Sequence, residues 1–174
     1  MKWSLFGQIV ILLMIQVGGL GFMTIITMFS IFLKRRIGLH ERRLLMQSAG
    51  TMRISGVVRL IKRILVGTFV FEGTGAVLLA TRFCPEMGIL RGIYNAVFHS
   101  VSAFCNAGFD LMGRFESYSS FSRYAGDPVV NITLMLLIVI GGIGFLVWSD
   151  IIYFRFKFSR YELHSKVVLI TTAI

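Results

Sequence analysis

The sequence predicts an all-α membrane protein built on a repeated unit of a span, a re-entrant helix and a second span. Three observations carry that prediction. Of 174 residues, 56% are hydrophobic and 15% charged, whereas a soluble domain usually carries about 25% charged residues. Long apolar runs alternate with segments that are basic on one side only. A glycine-rich signature recurs at a nearly fixed spacing.

The first element is 1–33. Its apolar run, Leu5–Leu33, is interrupted by Gln8, Gln16 and a few small residues. A bilayer crossing takes about 20 residues, so this segment reads as the closing transmembrane helix of one unit. It is too long for a signal peptide, and no small-residue cleavage site follows a short core.

The second element, 34–63, holds nine basic residues: Lys34, Arg35, Arg36, Arg42, Arg43, Arg53, Arg59, Lys62 and Arg63. Glu41 is its only acid. The positive-inside rule places it in the cytoplasm. Ile54, Val57, Val58, Ile61, Ile64 and Leu65 recur at helical spacing, as on an interfacial helix.

A complete unit follows over 64–154. It comprises a helix at 64–83, a short helix at 92–104, a loop at 105–110 and a helix at 129–154. The first helix carries Glu72 near mid-span, among Gly67, Gly73, Gly75 and Ala76, small residues that allow close helix contact. The thirteen residues of 92–104 reach only about 20 Å as a helix, too short to cross, which makes the segment re-entrant. In the external stretch, Arg82, Arg91, Arg114 and Arg123 are offset by Glu86, Asp110, Glu116 and Asp127. The last element, 155–174, is a basic cytoplasmic segment followed by the start of a further, truncated helix.

The formal charge of +10 therefore reflects topology. The basic residues flank apolar runs, so nucleic acid is not expected as a partner; membrane lipid is, in a multi-pass protein of the plasma membrane. Cys84 and Cys105, the only cysteines, form no disulfide framework.

The recurring signature is Gly18-Gly19-Leu20-Gly21-Phe22 and Gly141-Gly142-Ile143-Gly144-Phe145. Each copy precedes apolar sequence, a basic cluster and a Leu-His pair, Leu39-His40 and Leu163-His164. The copies lie 123 residues apart at the glycines and 124 at the Leu-His pairs. This is an internal repeat, and it implies that the chain is a fragment of a longer array. The glycines are expected to permit tight packing around the loop.

Non-helical backbone at membrane depth persists only where it is buried in protein or lines a water-filled cavity. A span, a re-entrant helix, a loop and a span make up the potassium-channel architecture, in which loop carbonyls replace the hydration shell of the ion. Asn106, Ala107, Gly108 and Phe109 are the expected filter residues, with Gly108 supplying backbone freedom. Asp110 is expected at the outer mouth. The C-terminal end of the short helix, with about half a negative elementary charge, would favour a dehydrated cation. His99 and Ser102 are expected to support that helix, and Glu72 is a candidate intramembrane polar site.

The stretch Phe98-His99-Ser100-Val101-Ser102-Ala103-Phe104-Cys105-Asn106-Ala107-Gly108-Phe109-Asp110-Leu111 resembles the second pore loop of Ktr/Trk-type potassium uptake systems. The two glycine signatures resemble the ends of that family's first and second repeats. The resemblance covers essentially the whole chain. It implies potassium as substrate, four repeats around a pseudo-fourfold pore, homodimers, and a cytosolic nucleotide-binding regulatory ring. Nucleotide is expected on that partner, and no cofactor in this chain. Family members often carry Asn where this chain has Cys105. Potassium uptake through a carbonyl-lined pore is the leading expectation, and a non-conducting membrane scaffold the alternative. An intramembrane enzyme using Glu72, His99 and Asp110 finds no support in their spacing, so no enzymatic activity is expected.

Overall fold

The computed structural model describes residues 4–21, 57–114, 119–154 and 158–173, and their regular elements are all helical. These are α1 (Leu5–Leu20), α2 (Val57–Met87), α3 (Ile89–Phe104), α4 (Pro128–Ile143), α5 (Phe145–Phe154) and α6 (Leu163–Ala173), with single 3-10 turns between some of them. The expected segments at 22–33 and 34–56 lie outside the described residues. The described helices fall into two compact units.

The first unit comprises residues up to Gly19 together with Thr68–Gly142. One of its cores joins Leu79 and Phe83 of α2, Ala96 of α3, Met112, Tyr124 and Val130 of α4. A second joins Ile15 of α1 to Phe98 and Val101 of α3. The outward faces are apolar: Phe6 and Met14 on α1, Phe69 and Val77 on α2, and Met135 and Leu136 on α4 are exposed. Such exposure would be costly in water and is expected where lipid is the solvent. Lys62–Met87 is long and apolar enough to cross a membrane. The 16 residues of α1 reach about 24 Å as a helix.

A single residue links α2 to α3. Gly88 has φ +82°, and a Cβ on Gly92 would lie 2.5 Å from the Cα of Cys84. Only glycine tolerates both the backbone angle and the close crossing. The expected helix 64–83 continues to Met87, because the chain turns at Gly88 and not at Cys84; at its start it runs on from Val57, within the stretch expected to form an interfacial helix. The short helix likewise begins at Ile89, three residues before the expected start, and ends at Phe104 as expected.

Asp127 and Pro128 start α4. The Asp127 carboxylate accepts hydrogen bonds from Val129 N (2.9 Å) and Val130 N (3.3 Å), satisfying amides that lack helical partners. Pro128 sits at the first helical position, where its missing N–H costs nothing. Nearby, the Tyr124 hydroxyl donates to Glu86 (2.8 Å). Burial, together with the Glu86 carboxylate, pushes the Tyr124 phenol up to about 12.

The expected helix at 129–154 is divided. It stops at Ile143, passes through Gly144 at φ +89° and restarts at Phe145. The equivalent glycine of the other signature, Gly21, follows the end of α1 and has φ +78°. Both copies of the repeat therefore end a helix on a left-handed glycine, a common helix terminator.

Among the described residues, the second unit comprises 20–21, 57–67, 143–154 and 158–173. Within it Asp150 of α5 accepts from Ser165 Oγ (2.7 Å) and from Glu162 N (3.0 Å), so α5 caps the start of α6. Val147 and Tyr161 are buried. A Cβ on Gly67 would lie 3.1 Å from the Trp148 ring.

Candidate functional site: the loop after α3

The second half of α3 is buried on nearly every side, from Phe98 through Ser102 and again at Phe104. It delivers the loop 105–111. The helix ends in a Schellman motif: Asn106 N donates to Ala103 O (3.0 Å) and Ala107 N to Ser102 O (2.9 Å), with Asn106 left-handed at φ +53°. Asn tolerates that region better than most residues. Gly108, two residues on, has φ +70°, and nothing lies within 4 Å of where its Cβ would sit. A side chain there meets a conformational penalty and no clash.

The loop is held from behind by α3. Ser102 Oγ donates to the Phe109 carbonyl at 2.7 Å. His99 is 1% exposed. Its Nε2 accepts from Leu111 N (3.0 Å), and its Nδ1 lies 2.7 Å from Asn95 O. A ring that accepts at Nε2 and faces a carbonyl at Nδ1 is neutral, with its proton on Nδ1. Phe83, Phe98 and Phe121 meet it at near-perpendicular angles. Asp110 accepts from Met112 N (2.9 Å) and Ser120 Oγ (3.2 Å), closing the loop's far end. The Asn106, Gly108 and Phe109 positions are exposed, and Ala107 is half-buried.

The flanks of the loop are set by the glycine signatures. A Cβ on Gly19 would overlap the Cys105 side chain, and one on Gly141 would overlap the Phe104 carbonyl. A Cβ on Gly142 would lie 3.5 Å from Asn106 Nδ2, which donates to Ile138 O at 3.4 Å. Thus α1 and α4 each approach the base of the loop through a glycine.

Glu72 lies on α2 behind the loop and is 5% exposed. Gln16 Nε2 donates to both of its carboxylate oxygens, at 3.1 and 3.2 Å. The Cys105 thiol donates to Oε1 at 3.9 Å. The backbone carbonyl of Glu72 accepts from Ser100 Oγ at 2.6 Å. That contact sits beside Gly75, whose Cβ would lie 2.7 Å from the same hydroxyl. A cavity of about 300 Å³ adjoins α1, α2 and α3, with Gln16 and Glu72 the polar side chains in an otherwise apolar wall. Gln16, Ser100 and Cys105 were not legible as partners from sequence alone. Gln16, one of two amides in an apolar run, was the available signal.

Apolar outward faces around a short buried helix and a braced loop define a membrane-embedded protein. The TrkH family model, described as cation transport protein, matches residues 2–170, and the chain belongs to that family. The chain is 40% identical over 173 residues to the potassium/sodium uptake protein NtpJ of Enterococcus hirae, covering 99% of the chain and 37% of that protein. Over 171 residues it is 37% identical to the Ktr system potassium uptake protein B of Bacillus subtilis, covering 98% of the chain and 37% of the relative. Its identity to the protein of the same name from Vibrio alginolyticus is 36%, with 99% and 37% covered. The chain therefore spans a little over a third of the length of these relatives. The family resemblance drawn from the loop and glycine signatures is borne out.

Proposed function

We propose that this chain forms one repeat of a potassium uptake pore, with loop 106–109 as its contribution to a carbonyl-lined selectivity filter. The observation that carries the reading is the short helix α3 ending on two left-handed positions, Asn106 and Gly108. Its loop is braced by Ser102, His99 and Asp110. An exposed backbone stretch held from behind by hydrogen bonds can present its carbonyls to a dehydrated ion. On this reading α2 and α4 are the spans flanking a re-entrant pore helix, and Asp110 stands at the outer mouth.

The basic segments before α2 and after α5 then face the cytosol, where a nucleotide-binding regulatory ring would dock. The complete transporter would be a plasma-membrane homodimer. The relatives named for potassium uptake support the substrate, and the relative named for potassium and sodium makes the ratio of the two ions the quantity to measure.

The complete polypeptide carrying this sequence, expressed in a cell lacking its own potassium uptake, should restore growth at low potassium and take up rubidium. A protein that reaches the membrane and moves neither potassium nor rubidium would favour the scaffold alternative.

A further inference from the structure

We infer that Glu72 is a positioning residue for ion selectivity, acting through the thiol of Cys105 at the point where the chain leaves α3. The inference rests on the pore-loop reading above and assigns a role to residues outside the loop itself.

Three contacts converge on Glu72 from three different segments. Gln16 on α1 spans both carboxylate oxygens, Cys105 at the loop base meets Oε1, and Ser100 on α3 holds the backbone carbonyl. An amide nitrogen that donates to both oxygens, at 3.1 and 3.2 Å, anchors the carboxyl group toward α1. Of the two oxygens, Oε1 is the one that accepts from Cys105.

Cys105 is the capping residue of α3. Its N–H donates to Val101 O (2.9 Å), and the next residue is already left-handed. Its side chain is boxed in on the other side by Gly19, where a Cβ would overlap it. A residue held between a carboxylate and a glycine has little freedom to rotate. Its position sets the direction in which Asn106 and Ala107 leave the helix. The other residues lining the adjacent cavity are apolar, so they offer Glu72 no competing hydrogen bonds.

The test compares potassium and sodium uptake by variants of the complete polypeptide at matched membrane level. Glu72→Gln keeps the side chain's size and removes one of the acceptors. It should lower the potassium-over-sodium ratio about threefold to tenfold, the scale of one lost hydrogen bond of ordinary net strength. Cys105→Ala should lower the ratio similarly. The double variant should be no worse than either single one, since both break the same link. Cys105→Ser, which keeps a donor, should retain more of the preference than Cys105→Ala.

An unchanged ratio in Glu72→Gln, or effects of the two substitutions that simply multiply, would overturn the inference. If Glu72→Gln fails to reach the membrane, Cys105 decides alone: equal ratios in the Ala and Ser variants sink the proposal, and a higher ratio in Ser sustains it. Gly108→Ser in the same assay separates the two levels. A ratio that falls in Gly108→Ser but not in Glu72→Gln removes only this inference. A ratio unmoved by either substitution removes the pore-loop reading itself.

Discussion

The hydroxyl of Ser102 donates to the carbonyl of Phe109 across 2.7 Å, so the last turn of α3 holds the loop that it launches. Ser102 is 3% exposed, and its own carbonyl also receives the Ala107 N–H. One residue of the helix thus fixes the loop at both its first turn and its far end.

Ser102→Ala should therefore loosen the loop without unfolding the protein. The lost hydrogen bond is worth about 1 kcal/mol. The expected result is a lower potassium-over-sodium uptake ratio at normal membrane abundance. A variant with the parental ratio would show that the Phe109 carbonyl needs no support from α3.

The glycines divide into those that meet a neighbour and those that do not. Gly92→Ala puts a Cβ 2.5 Å from the Cα of Cys84, a backbone atom that cannot step aside. Forced overpacking of this kind costs about 1–3 kcal/mol. Gly73 has nothing within 4 Å, so Gly73→Ala should be neutral or slightly stabilising in a helix. Thermal denaturation of the purified variants in detergent measures both. Equal midpoints for the two would contradict the close crossing of α2 and α3.

Asp127 has two roles that substitution can separate. It caps α4 through Val129 N and Val130 N and pairs with Arg82 at 3.1 Å. The Arg82 side chain is 46% exposed, so the ion pair contributes little, within about 0–1 kcal/mol. Loss of the cap costs about 0.5–2 kcal/mol. Asp127→Asn keeps a capping oxygen and should stay near the parental stability, whereas Asp127→Ala should not. Equal loss in both would assign the stabilisation to the ion pair.

Much of this architecture could be read from the sequence, for physical reasons. Hydropathy over twenty or more residues is a summed signal, so α2 was found with only its ends misplaced. The end of α3 was legible because the apolar run stops at Phe104 and Asn106 and Gly108, residues suited to left-handed backbone, follow closely. The repeat was legible in its glycines, and Gly21 and Gly144 share their backbone conformation.

Less visible was the break of the expected helix 129–154 at Gly144. Within an apolar run, a glycine that packs and one that terminates a helix look alike. The pairing of Gln16 with Glu72 spans 56 positions, and no local pattern encodes such a distance. Ser102 was expected to support the helix, but its bond to Phe109 depends on a loop path that periodicity does not describe.

The central claim is that loop 106–109 coordinates the ion, and Gly108 is where it is most exposed to test. At φ +70° with open space around it, Gly108 accepts a side chain at a conformational cost of about 1–2 kcal/mol and without a clash. Gly108→Ser should thus reach the membrane and still tilt the carbonyls proposed to replace the water shell of potassium. The decisive measurement is initial uptake of potassium and of sodium by the complete polypeptide and its Gly108→Ser variant, in cells lacking their own potassium uptake, at matched membrane expression. The account predicts slower potassium uptake and a reduced potassium-over-sodium ratio. Both rates and their ratio left intact would contradict it.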